Sequence, residues 1–191
     1  MQNIEELKKL LQSRLTSKRF VHSLNVADEA KKLAEIWGFD EEKAYLAGLL
    51  HDISKDILKN DQKSAVENSL MNVSEIEKKS PPLLHSIAGA FYIKNTLKID
   101  DDDLINAVRY HTVAREGMSI LEKIVYMADL VSIDRTYANV EEMRKFAHSD
   151  LDLAMFEALK FSIKSVLNKG TSLPLTTVDA YNQYALILSK R

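Results

Sequence analysis

The sequence predicts an all-α protein folded as a single helical bundle, on three observations. Apolar residues recur at three- and four-residue spacing almost throughout, from Ile4, Leu7, Leu10 and Leu11 to Leu24, Val26, Ala30, Leu33, Ala34 and Trp37, and no strand alternation competes with that period. Only 5 Gly and 3 Pro punctuate the 191 residues, too few for a strand-and-turn architecture. The chain is 46% hydrophobic and 28% charged, the balance of a folded protein with one sizeable core at a length that one domain can hold.

The elements follow in order. Gly38 and Asp40 end the helix that contains Trp37 and start the next, because glycine accepts the left-handed conformation after a helix and aspartate caps a new one. A helix over about Glu41 to Ser54 is expected. Lys55 to Pro82 is more polar and reads as an excursion of short helices, roughly Gln62 to Leu70 and Ser74 to Lys79, before Pro81 and Pro82 force a break. Longer helices resume at about Leu83 to Leu97, Asp101 to His111, Ser119 to Val131, Val140 to Ala147, Leu151 to Asn168 and Thr177 to Ser189. One domain over residues 1–191 is expected, with a core at about 16–135 and C-terminal helices over 139–191 packed on it.

The composition excludes several classes of function. A formal net charge of −2 supplies no general attraction to nucleic acid or an anionic membrane. With 0 Cys there is no disulfide, thiolate zinc site or cysteine nucleophile, so any metal must take His and carboxylate ligands. No window approaches about 18 consecutive apolar residues, and the N-terminal MQNIEELKKLLQSRL is charged and amphipathic, which together imply a cytoplasmic protein. GxGxxG, GxxxxGK[ST] and GxSxG motifs are absent.

The 5 histidines carry the chemistry. His22, His51, His85 and His111 lie within or at the ends of amphipathic helices, with apolar residues one turn away, and so point inward or toward a cleft. One such histidine alone reads better as a structural residue, by roughly four to one. Four of them would each need a separate buried partner, at about 1–3 kcal/mol for every group left unsatisfied, whereas one shared metal site satisfies them together. Asp52 follows His51 directly, and Asp129 lies in the otherwise apolar YMADLV, where an unpaired carboxylate is costly. Taken alone, Asp129 reads better as a helix-end carboxylate paired with Arg135. Ligands of this kind suit iron, manganese or zinc better than magnesium. An ion held there would lower the pKa of a water molecule and neutralise phosphate oxygens, as phosphoanhydride hydrolysis requires. Lys55, three residues after Asp52, can reach such a phosphate, and Arg19, Arg109, Arg115 and Arg135 each lie within six residues of a proposed ligand and can grip it bidentately. Each of these cations taken singly is equally well a solvated surface residue. His148, in the polar FAHSD, stays outside the site, with Ser149 or Asp150 capping the following helix.

The order His22, His51-Asp52, His85, His111, Asp129 resembles the H…HD…H…H…D pattern of the HD superfamily. The segments RFVHSLNVA, AGLLHDISKD, LLHSIAGA, VRYHTVAREGMS and KIVYMADLVSIDR, with the C-terminal LPLTTVDAYNQY, are similar to the YqeK family of bacterial HD hydrolases from about Arg19 to the end. The resemblance implies an HD-domain helical bundle, a binuclear iron centre, with manganese or zinc as alternatives, and symmetrical cleavage of diadenosine tetraphosphate to two ADP by metal-activated water. It implies that His22, His51, Asp52 and Asp129 hold one metal, that His85 and His111 complete a second with Asp52 as the bridge, and that Lys55 is catalytic or orients phosphate beside Asp52. Arg19, Lys55, Thr112, Arg115 and Arg135 are then the substrate-binding candidates. Two loops depart from the family: HTTG reads His111-Thr112-Val113-Ala114, and EPNR reads Ser132-Ile133-Asp134-Arg135. The alternatives are another HD reaction, on a nucleoside monophosphate or a cyclic dinucleotide, and a non-catalytic helical module that senses nucleotides. The expected partner is a dinucleoside polyphosphate or other nucleotide, with no nucleic acid and no membrane; a homodimer is expected only from how common two-fold assemblies are.

Overall fold

A computed structural model describes residues 3–191, so Met1 and Gln2 of the N-terminal amphipathic stretch lie outside the described residues. The helices are α1 (Ile4–Arg14), α2 (Ser17–Trp37), α3 (Glu41–Leu50), α4 (Lys59–Glu67), α5 (Glu75–Lys78), a 3-10 turn (Pro81–Leu83), α6 (Leu84–Asn95), α7 (Asp102–Tyr110), α8 (Ile120–Val131), α9 (Val140–Ser149), α10 (Leu151–Asn168) and α11 (Leu175–Leu188). No strand occurs among the described residues, and no helix is long and apolar enough to cross a membrane.

The caps form where the sequence places them. Gly38 takes the left-handed φ of 65° after α2, and the side chains of Asp40 and Asp150 accept from the backbone amides of Lys43 and Leu153 to start α3 and α10. Ser74 with Glu77, and Ser119 with Glu122, close reciprocal capping boxes at α5 and α8, which satisfies amides that would otherwise lack partners.

One cluster of buried apolar side chains draws on α1 (Leu11), α2 (Leu33), α3 (Leu49), α7 (Val108), α8 (Ile124), α10 (Met155) and α11 (Tyr184). The C-terminal helices join it through specific contacts: Trp37 Nε1 donates to the Ala147 carbonyl at 3.0 Å, and His148 Nε2 lies 3.0 Å from Glu29 Oε1. His148 thus stays away from the metal-ligand candidates. The excursion between α3 and α6 is fastened from inside by an ion pair between Glu77 and Arg109, 2.7 Å apart, with side chains 1% and 2% exposed.

Three helix bounds need correction, of which the first is α4, running over Lys59–Glu67 instead of about Gln62 to Leu70. The helix expected to run to Ser54 stops at Leu50. His51 Nδ1 donates to the Gly48 carbonyl at 2.6 Å, and the backbone continues in three-residue turns, with Ile53 N bonding Leu50 O and Lys55 N bonding Asp52 O. This tighter winding turns successive side chains about 120° apart instead of about 100°. His51 and Asp52 therefore leave the helix end, not the flank of a helix, and Lys55 stands on a turn. The last helix starts earlier than expected, at Leu175, because Pro174 supplies an extended residue before it.

The packing of α2 on α3 depends on Gly48. A Cβ there would come within 3.0 Å of Ala27 Cα and the Val26 carbonyl, backbone atoms that cannot rotate away. Gly48→Val should therefore lower stability by about 1–3 kcal/mol, read as an earlier denaturant midpoint at unchanged slope. A midpoint equal to that of the wild type would show that the helices are not in such close contact.

Candidate metal centre

Four imidazoles form a continuous arc inside the bundle. His22 comes from α2, His51 from the end of α3, His111 from the end of α7 and His85 from the first turn of α6. Ring centroids are 5.3 Å apart for His22 and His51, 5.1 Å for His51 and His111, and 5.2 Å for His85 and His111. Asp52 and Asp129 point into this arc: Asp52 Oδ1 lies 3.2 Å from His85 Nε2 and 3.7 Å from His111 Nε2, and Asp129 Oδ1 lies 2.9 Å from His22 Nε2 and 3.9 Å from His51 Nε2. All six residues singled out from the sequence thus meet at one place. Two triplets, His22 with His51 and Asp129, and His51 with Asp52 and His111, have ligand atoms all within 4.8 Å of one another.

Three of the rings are oriented through their far nitrogens. His51 Nδ1 donates to Gly48 O at 2.6 Å, His111 Nδ1 to Val108 O at 2.7 Å, and His22 Nδ1 to Asp134 Oδ2 at 2.8 Å. For His51 and His111 the carbonyl partner fixes the proton on Nδ1 and leaves Nε2 as the acceptor facing the arc, while Asp134 orients the His22 ring in the same direction. His85 differs, since its Nδ1 and Nε2 lie 3.4 and 3.1 Å from Lys55 Nζ.

The residues fit a cation. Buried His51 Nε2 and Asp52 Oδ1 have no hydrogen-bond partner, although each is the kind of atom that rarely goes unsatisfied in a protein interior. His22 has a carboxylate at each ring nitrogen, so a proton or a metal ion must stand between Nε2 and Asp129. Burial pushes the Asp52 carboxyl up, yet its interactions with His51, His111 and His85 hold it well below the usual carboxylate range. Burial raises Asp129 likewise, and His22, His51 and Arg135 more than offset it. Burial, with the charges of His111 and Lys55, takes His85 down to about 4 against the pull of Asp52, which leaves it neutral near pH 7, the form that binds metal.

Cations occupy the open side. Arg19 Nη1 donates to Asp52 Oδ2 at 2.8 Å, Arg135 bonds both the side chain and the carbonyl of Asp129, and Lys55 Nζ lies 3.9 Å from Asp52 Oδ1. Their side chains are 30%, 35% and 32% exposed, against 0% for His51, so the imidazoles form a floor and the cations a rim. Burial lowers the Lys55 ammonium from its ordinary value, with Asp52 opposing and Arg19 assisting. Both readings of Asp129 hold at once, since it pairs with Arg135 and faces the arc.

Other sequence candidates go elsewhere. Arg115 forms a two-pronged ion pair with Glu122, at 2.8 and 2.5 Å, and Glu122 is itself fixed by its capping box. Arg109 is held by Glu77. Thr112 Oγ lies 3.3 Å from Ser86 Oγ, next to the arc but not in it. Sequence reasoning missed Asp134 as a positioning residue. Its one signal was a carboxylate at the place where the resembled family has Asn.

A family model described as HD domain matches residues 19–134. The chain belongs to the HD-domain family, whose members are metal-dependent phosphohydrolases. Within it, the chain is similar to the symmetrical bis(5'-nucleosyl)-tetraphosphatase of Halalkalibacterium halodurans, 34% identical over 93% of this chain and 94% of that one. The protein of the same name from Bacillus subtilis is 32% identical over 94% of this chain and 96% of its own length. The crystal structure of a predicted HD superfamily hydrolase involved in NAD metabolism from Clostridium acetobutylicum aligns with a TM-score of 0.93 at 36% identity, covering 100% of both chains.

The support that Asp134 gives His22 is testable without substrate. Asp134→Ala should weaken metal binding by about 10–100-fold, measured by competition with a coloured chelator, while the helical circular dichroism stays unchanged. Unaltered affinity would mean that Asp134 does not position the ring.

Proposed function

We propose that the protein hydrolyses dinucleoside tetraphosphates and cuts diadenosine tetraphosphate symmetrically to two ADP, with the chemistry in residues 16–135 and the C-terminal helices as a buttress. The observation that carries this reading is the pair of unpartnered buried ligand atoms, His51 Nε2 and Asp52 Oδ1, inside an arc rimmed by Arg19, Lys55 and Arg135. The names of the similar proteins supply the substrate class.

His22, His51, Asp52 and Asp129 would hold one ion, and His85 and His111 would complete a second site with Asp52 as the bridge. We take the metal to be iron in a binuclear centre, with manganese or zinc as alternatives. When bound, such ions lower the pKa of water and neutralise phosphate oxygens. The chain's own residues do the rest. Arg19 and Arg135 present planar donors to the central phosphates, and Lys55 donates to a non-bridging or leaving oxygen as negative charge grows on it. Thr112, whose hydroxyl bonds that of Ser86 beside His85, would contact the nucleotide. Burial of the floor excludes bulk water and strengthens each of these interactions. Water adds to one of the two central phosphorus atoms, the bridging oxygen departs with the other half, and both products are ADP with one proton released. A cytoplasmic location goes with this reading.

The test is incubation of the iron-reconstituted protein with diadenosine tetraphosphate and chromatography of the nucleotides. ADP as the sole product, lost on chelation, is expected; ATP with AMP would contradict symmetrical cleavage. Asp52→Ala should reduce turnover by more than about a hundredfold and Lys55→Ala should reduce kcat by about 10²–10³; undiminished turnover of Asp52→Ala would refute the assignment.

A further inference from the structure

Between α8 and α9 the chain carries two residues that reach the arc, Asp134 and Arg135, on a segment with few apolar anchors. Ile133 is 74% exposed, and the nearest buried apolar residues are Val131 and Val140, at the two helix ends. A segment of this kind takes its conformation from its polar bonds.

One side chain gathers three carbonyls at the near end of that segment. Arg144, on α9, donates from Nε to the Val131 carbonyl at 2.9 Å, and from Nη2 to the carbonyls of Ser132 at 2.8 Å and Arg135 at 3.0 Å. Its remaining nitrogen, Nη1, pairs with Glu141 one turn earlier on the same helix, and the Arg144 side chain is only 18% exposed. Val131 and Ser132 stand at the C-terminal end of α8, where the last carbonyls lack helical partners. A guanidinium placed there satisfies them and sets positive charge against the negative end of the helix. A lysine lacks the planar fork that spans several acceptors at once.

The fork fixes the backbone on both sides of Asp134, since Ser132 lies two residues before it and Arg135 directly after. Asp134 in turn meets α2 twice: Oδ2 lies 2.8 Å from His22 Nδ1, and Oδ1 accepts from Asn25 Nδ2 at 3.2 Å. Arg135 has an anchor of its own, with Nε donating to the Asp129 carbonyl at 2.6 Å. Loss of Arg144 therefore falls on Asp134.

We propose that Arg144 is a positioning residue for the metal centre: by clamping the carbonyls of Val131, Ser132 and Arg135, it holds Asp134 where that carboxylate orients the His22 ring. α9 thereby acts on the arc through one guanidinium that bonds none of the six ligand candidates. The inference rests on the reading of the arc as a metal centre and is independent of the substrate.

The test is a double-mutant cycle read as zinc affinity, by competition with a coloured chelator. Arg144→Met should weaken zinc binding about tenfold, the low end of what a lost supporting contact costs, with the helical circular dichroism unchanged. Added to Asp134→Ala, it should deepen the loss by less than about twofold, because both changes remove the same support. Unchanged affinity in Arg144→Met, or single losses that multiply in the double variant, would overturn the assignment; an arginine that only stabilises the fold gives one of these two results. Arg144→Lys keeps the charge without the fork and should regain at most about threefold of the loss, and full recovery would contradict the clamp. A wild type that binds no zinc ends the metal reading of the arc and this inference with it, whereas a wild type that binds zinc beside an unaffected Arg144→Met ends this inference alone. Should neither Arg144 variant fold, NMR of the wild type decides: the Arg144 Nε proton should exchange with water far more slowly than that of free arginine, and equally fast exchange would refute the clamp.

Discussion

The close approach of α2 to α3 is the constraint on which the rest of the site depends. Gly48 permits it by having no Cβ between the helices, and the carbonyl of the same residue receives the Nδ1 proton of His51. One residue therefore sets both the gap between the helix bearing His22 and the end bearing His51, and the direction in which His51 points. A single extra methyl group would alter the separation of the two rings before any ligand were touched. Close packing transmits such a change because the interior has little free volume to absorb it.

The second organising feature is the placement of charge. Two carboxylates and four imidazoles lie among apolar side chains, where uncompensated charge is costly. Arg19 and Arg135 neutralise the carboxylates from the open side. An ion held by Asp52 and Asp129 would take over that neutralisation and free the same two guanidinium groups for phosphate. On the proposed reading, loading of the centre and readiness for substrate are one event, with the arginines passing from carboxylate to phosphate as the charge beneath them changes sign.

The helical class, the order of the helices and the six residues of the arc were legible in the sequence because each has a local signature: a 3.6-residue apolar period, a capping residue, or a polar side chain on an apolar face. What was not legible depends on three-dimensional partners. The helix through His51 was expected to reach Ser54, but it ends early because an imidazole competes for a helix carbonyl, and spacing alone cannot reveal that bond. Arg115 looked available for phosphate because it lies near His111, yet the partner that claims it, Glu122, is fixed by a capping box on the following helix. Asp134 was visible only as a departure from the resembled family, since its role comes from a contact with His22, 112 positions earlier.

The buried pair of Glu77 and Arg109 has a consequence for how the molecule can loosen. Arg109 stands two residues before His111, and Glu77 caps a helix of the excursion, so lifting the excursion away would strand a guanidinium charge in apolar surroundings beside the metal-ligand arc. Breaking one member of such a pair is far more costly than breaking an exposed one. Residues 75–83 and α7 therefore behave as a single cooperative unit, and the Asn72 carbonyl, which accepts from the same guanidinium at 3.3 Å, ties the preceding turn to it.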